Sequence, residues 1–310
     1  MRIALAALLL LPLAVASGAA PIAAAEAARP PSFDCAKASQ PVERAVCADE
    51  TLSAMDRLLD RAYRMALDGL PADQAAPLKG DQVRWLLERS RAFAAAREDR
   101  TALVALYDQR LRTIIGKAGP RILPAALAKA RPIDPLAGAD RAAEEEAAFA
   151  AYVLTSLFPD PAVSGGAGGE AEVMSPYERY AGFTYAAALP DGRLFVAVPQ
   201  DCGAYQCSTT PFLVDQGKGQ GKGMAARLAV EVVEDGKRRI DPQAVPLGVP
   251  SVTGEIVEIF EQARGAGDCG VKWRYRVEGS TLALDQAMEK PACDGKDWSR
   301  AVTRSYGKRD

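Results

Sequence analysis

The chain has 310 residues, 49% of them apolar, and its 38 basic residues stand against 40 acidic ones and no histidine at all. An acidic balance of this kind speaks against nucleic acid as a partner. The missing imidazole removes Ser-His-Asp and Cys-His triads, zinc-peptidase motifs and the usual zinc and copper sites, so no catalytic residue, metal ligand or cofactor is indicated.

Taken from its start, the chain reads Met1-Arg2 and then IALAALLLLPLAVA, one positive charge before an apolar run too short for a membrane span. Residues 1–25 are predicted to be a secretory signal peptide, cut before Ser17 or before Glu26. A lipid anchor would need a cysteine directly after the apolar run, and the first, Cys35, comes well downstream. The expectation is an exported protein, periplasmic or secreted, with no membrane anchor after cleavage. In that compartment an even set of thiols normally pairs. The six cysteines fall into three local couples, which predicts disulfides Cys35–Cys47, Cys202–Cys207 and Cys269–Cys293.

Residues 33–116 read as a helical bundle. Pro41 suits a first helical turn, and Asp49 can cap a helix on which Leu52, Met55, Leu59, Tyr63 and Ala66 recur at helical spacing. Gly69-Leu70-Pro71 ends that helix. A third carries Val83, Leu86, Leu87 and Phe93, and a fourth carries Leu103, Leu106, Tyr107, Leu111 and Ile114 before Gly116. Each has one apolar side, so the helices are expected to bury these sides against one another. Residues 117–175 read as a linker with one or two helices, the clearer one over 140–157 with the acidic run Glu144-Glu145-Glu146 near its start, and with a glycine-rich loop at 164–169.

Over 176–310 the apolar period becomes two. Strands are predicted at 183–189, 193–199, 210–215, 225–234, 254–264, 271–278 and 281–288, separated by turn chemistry at Pro190-Asp191-Gly192, Asp235-Gly236 and Gly279-Ser280. The fold class is therefore α+β: a disulfide-stapled helical bundle followed by an antiparallel sheet or barrel.

Phe33-Asp34-Cys35, Pro41-Val42-Glu43, Cys47-Ala48-Asp49, Met55-Asp56, Tyr63, Gln82-Val83-Arg84-Trp85-Leu86 with Arg89, and Leu106-Tyr107-Asp108 with Arg110-Leu111 stand in one order over residues 33–115. In this the chain resembles the lysozyme-inhibitor LprI-like N-terminal domain family. The resemblance implies a secreted, stapled helical domain, and a lysozyme-type muramidase or another envelope protein as partner. The chain departs from the family in having no cysteine between Ser90 and Ala105, so the third and fourth helices are expected to be held by packing alone. Gly267-Asp268-Cys269-Gly270, the Trp273 strand and Met288 to Cys293 resemble the end of an uncharacterised family of secreted β-rich bacterial proteins, which carries no activity to transfer.

Of the remaining features, 217–223, a Gly/Lys alternation, lacks the GK[ST] ending and the following helix of a phosphate loop and reads as an inter-strand loop. Lys272, Arg274 and Arg276 alternate along one strand face: either the wet side of a sheet or a surface for an acidic partner. Trp85 reads as core rather than as a binding anchor. The functional expectation is a non-enzymatic envelope binding protein, with muramidase inhibition implied by the resemblance. The alternatives are a structural or assembly protein of the periplasm and a carboxylate-dependent envelope hydrolase.

Overall fold

The computed structural model describes residues 29–134, 140–159, 174–215 and 224–307. The leader at 1–25, the glycine-rich stretch at 164–169 and the Gly/Lys stretch at 217–223 lie outside the described residues.

The helical part opens on a single turn, Cys35–Lys37, capped by the Asp34 carboxylate, which accepts from the Ala36 N–H. Helix α1, Pro41–Ala48, starts on Pro41 with a capping box between Gln40 and Glu43. Asp49 ends α1 and also caps α2, Glu50–Leu67, by accepting from the Leu52 N–H at 2.8 Å. The two helices are thus joined through the single extended residue Asp49. A disulfide from Cys35 to Cys47 clamps the opening turn onto the end of α1. Replacing both cysteines by serine is expected to cost about 3 kcal/mol, the chain entropy of a loop of this length. A shift in the guanidinium unfolding midpoint of the full chain measures it.

Helix α3, Ala72–Ala95, and helix α4, Arg100–Ala118, complete this part. The sequence puts the end of α4 at Gly116, but the helix runs through that glycine. Gly119 closes it instead, at φ +64° with its N–H donating to Ile115 O, in a conformation that a side chain would strain. After a short helix α5, Leu123–Leu127, comes α6, Arg141–Leu157, capped by Asp140. Ala147 through Leu154 are all buried, the signature of a helix enclosed on every side. Its acidic run does more than favour the helix start: Glu145 takes Arg57, and Glu146 takes Arg61, at 2.7 Å each. Helix α7, Pro176–Phe183, begins with a Ser175–Glu178 capping box, and Glu178 reaches back to Thr51 and Arg100 on α2 and α4.

Eleven strands follow among the described residues: β1 Tyr185–Ala188, β2 Leu194–Cys202, β3 Cys207–Asp215, β4 Met224–Arg227, β5 Ala229–Glu234, β6 Lys237–Asp241, β7 Leu247–Thr253, β8 Ile256–Gln262, β9 Gly270–Glu278, β10 Thr281–Lys290 and β11 Val302–Ser305. They pair in the order β1-β2-β3-β7-β8-β9-β10-β5-β6, with β4 also on β3 and β11 also on β10. All ladders are antiparallel except the short β10–β5 contact. β3 meets β7 only at Cys207 and Ser208, so the assembly bends there into two sheets.

Strand β2 sits between layers. Leu194, Val196 and Val198 join the core shared with the helices, while Phe195 and Ala197 face the second core, which includes Val257, Tyr275 and Leu284 of the opposing sheet. This explains why β2 reads as a continuous apolar run. The stretch predicted as one strand over 225–234 is two, because the chain crosses from one sheet to the other at the buried Leu228. The Asp235-Gly236 turn has both residues at positive φ, as a two-residue hairpin requires. Disulfides Cys202–Cys207 and Cys269–Cys293 close the β2–β3 and β9–β10 hairpins.

Candidate functional site

Helix α3 is where the structure departs most from its sequence pattern. The periodicity groups Val83, Leu86, Leu87 and Phe93 on one buried side. Phe93 is indeed buried, but it turns inward with Arg89 and the half-buried Trp85, while Val83, Leu86 and Leu87 are 60%, 40% and 55% exposed. The inward residues recur at helical spacing too, and their partners on α2 and α4 decide the rotation.

Those partners form a polar brace. The Tyr107 hydroxyl donates to Asp56 Oδ1 at 2.8 Å, and Arg89 Nη1 donates to the Tyr107 oxygen at 2.5 Å. Ser32 gives its backbone N–H and its hydroxyl to Asp56 Oδ2 at 2.9 and 2.5 Å. Asp56, Arg89 and Tyr107 are all buried, with the Arg89 guanidinium 4.0 Å from the Asp56 carboxylate. Burial, then the Asp56 charge, pushes the Tyr107 phenol well above its ordinary range. The Trp85 ring stands edge-on to Tyr107 with centroids 5.4 Å apart.

One turn further along, Arg110 donates to Gln82 Oε1 at 2.8 and 3.0 Å and to Asp81 at 3.1 Å, and Lys117 donates to Asp81 at 2.7 Å. Lys117, followed by Arg110, holds the Asp81 carboxyl down at about 2. The missing cysteines leave packing alone to join α3 to α4; the structure adds these ion pairs and hydrogen bonds. Asp56, Gln82, Trp85, Arg89, Tyr107 and Arg110, which carry the family resemblance, thus converge on one brace whose work is to fix the rotation and position of α3.

Beside the brace lies an open groove of about 430 Å3. Phe33, Tyr63, Trp85 and Leu86 give it apolar walls; Glu43, Asp56 and Asp60 line it with Arg89, and Asp60 is paired with Arg64 at 2.8 Å. Glu43 accepts the N–H groups of Ser39 and Gln40 at 2.8 and 2.9 Å, and these, Gln40 first, hold its carboxyl below the ordinary value. Arg89 Nε is buried without a hydrogen-bond partner among the described residues. A hydrolytic pair needs one carboxyl that keeps its proton; Glu43 is set the opposite way.

The strand cations occupy a different place. Lys272, Arg274 and Arg276 lie on one face of β9, as their alternation predicts. Lys272 Nζ rests 4.8 Å from the centre of the Trp298 ring and 5.1 Å from that of Phe260, with Glu258 at 3.9 Å. Arg274 donates to Gln286 and lies 3.8 Å from Glu258; Arg276 binds Asp285. Each cation is matched by a neighbouring side chain, so the face carries little unbalanced charge.

The fold is thus a disulfide-stapled helical part joined to a two-sheeted β part. Residues 35–130 match the family model described as lysozyme inhibitor LprI, and residues 167–305 match that described as protein of unknown function DUF1176. The two matches fall on the two segments whose motifs carry the resemblances. No curated protein and no solved structure matches the chain.

Proposed function

We propose that this protein is an exported, non-enzymatic binding protein of the cell envelope whose helical part restrains a lysozyme-type muramidase. The observation that carries the reading is the match of residues 35–130 to an inhibitor family. The three disulfides support a place outside the cytosol, in the periplasm or beyond. Val83, Leu86 and Leu87, exposed on adjacent turns of α3, support recognition, because apolar side chains clustered at the surface mark interaction sites more often than scattered ones do.

Lysis of peptidoglycan-bearing cells by lysozymes of several classes, followed as loss of turbidity with the full chain added, tests the proposal. At about 10 μM protein the initial rate is expected to fall about ten-fold with at least one class, as a dissociation constant of about 1 μM dictates. Unchanged rates with all of them would remove the inhibitor reading.

A further inference from the structure

We infer that the helices matched to the inhibitor family and the β part form one cooperative folding unit, with α6 as the element that joins them, so that the helical surface exists only while the β part is folded. One family match ends at residue 130 and the other begins at 167, and α6, Arg141–Leu157, lies in neither. By sequence the chain reads there as a linker carrying a helix. Yet Ala147 through Leu154 are all buried, whereas a helix spanning between separate domains would turn one side to water.

The neighbours of α6 belong to both parts. Towards α2, Glu145 and Glu146 hold Arg57 and Arg61, and the Arg61 guanidinium lies 4.0 Å from the centre of the Phe149 ring. Towards α4, Arg112 donates to Thr155 Oγ1 at 3.3 Å, stands 5.2 Å from the centre of the Tyr152 ring, and donates to the Tyr180 hydroxyl of α7 at 3.1 Å. Towards the first sheet, Phe158 at the end of α6 packs near Phe212 of β3, with centroids 6.0 Å apart. Just beyond the helical match, Ile133 and Ala186 of β1 exchange both backbone hydrogen bonds, at 2.8 and 3.0 Å. A single apolar core runs through all of this, from Leu111 of α4 through Phe149 and Leu154 of α6 to Val198 of β2 and Phe212 of β3. Opening the β part would strip that core from α6, and α6 from α2 and α4, leaving Arg57, Arg61 and Arg112 without these partners. A boundary of that kind gives one unfolding transition rather than two. By linkage, a partner that grips the helices then stabilises the β part as well.

Pulsed hydrogen exchange of the full chain, with disulfides intact, equilibrated across a urea series and read peptide by peptide by mass spectrometry, gives each element its own unfolding midpoint. In the wild type, peptides from α2, α4, α6, β2 and β3 are expected to share one midpoint. Val198→Ala and, separately, Val196→Ala each delete two methyl groups from buried positions on the sheet side of the common core. Each should lower the folding constant about ten-fold and move the midpoints of α2 and α4 by as much as those of β2 and β3. Two separate midpoints in the wild type would overturn the joint unit. So would a midpoint that falls in β2 and β3 while α2 and α4 keep theirs, or variants that leave every midpoint where it was. None of these readouts involves a lysozyme, and a failure here leaves the inhibitor reading untouched.

Discussion

Gly270→Ala is expected to lower the stability of the full chain by about 4 kcal/mol, with a fall in melting temperature on the order of 10 °C. Gly270 opens β9 at φ +134°, a backbone conformation that side chains rarely adopt. A Cβ added there would lie 2.1 Å from Glu261 O and 3.0 Å from Ala263 N. Those atoms belong to the end of β8 and the residue just beyond it, and β8 is paired on both sides. No flexible side chain can move aside to relieve the contact. The strain of the φ and the clash therefore add. Gly248 reinforces the point from the other neighbour of β8: at φ +145° its own Cβ would come 2.6 Å from Phe260 O. Gly279→Ala is the control, since its φ is +59° but nothing lies within 4 Å, and it should cost only about 1 kcal/mol. Melts of the three proteins with disulfides intact decide the matter. Equal losses at 270 and 279 would show that backbone freedom, not close strand approach, makes Gly270 necessary.

The sequence was readable wherever one local rule acted alone. Asp49 announced a helix start because a carboxylate just before an apolar period has one favourable place to go, and Asp235-Gly236 announced a hairpin because few residues tolerate positive φ. Three strands were not readable. β6, Lys237–Asp241, is the end strand of the pairing path and has little apolar period to show, because most of it faces water. β7 contains Gly248 and Pro250, which signal a break, yet beyond Ser208 it pairs only with β8, and an edge of that kind accepts proline. β11 is a short exposed strand with no buried residue.

The groove was hidden for a different reason. Periodicity finds a stripe but does not say what covers it, and α3 carries two. The aliphatic stripe is the more hydrophobic of the two, so periodicity alone assigns it to the core. The inner one wins because Arg89 can leave water only where Asp56 and Tyr107 meet it, and that meeting fixes the rotation of the helix. The motif that carries the resemblance is thus informative about position: its buried members set the rotation of α3 and leave Val83, Leu86 and Leu87 on its exposed side.

The second large effect is expected at the centre of that brace. Asp56→Asn keeps the shape of the side chain and removes its charge, leaving the Arg89 guanidinium buried without its carboxylate. Breaking a buried pair from one side typically costs 3–5 kcal/mol, and about 3 is expected here because an amide oxygen still accepts from Tyr107 or Ser32. Tyr107→Phe should cost less, about 1 to 2 kcal/mol, since Arg89 and Asp56 lie 4.0 Å apart and can close on each other. Arg89→Met combined with Asp56→Asn should recover part of the loss, because removing both charges ends the desolvation penalty that either one alone would bear. A double-mutant cycle by urea unfolding reads the coupling directly. Additive losses at 56 and 89 would mean the two side chains act independently. The rotation of α3 would then have to be credited to Phe93, Trp85 and the Arg110–Gln82–Asp81 cluster.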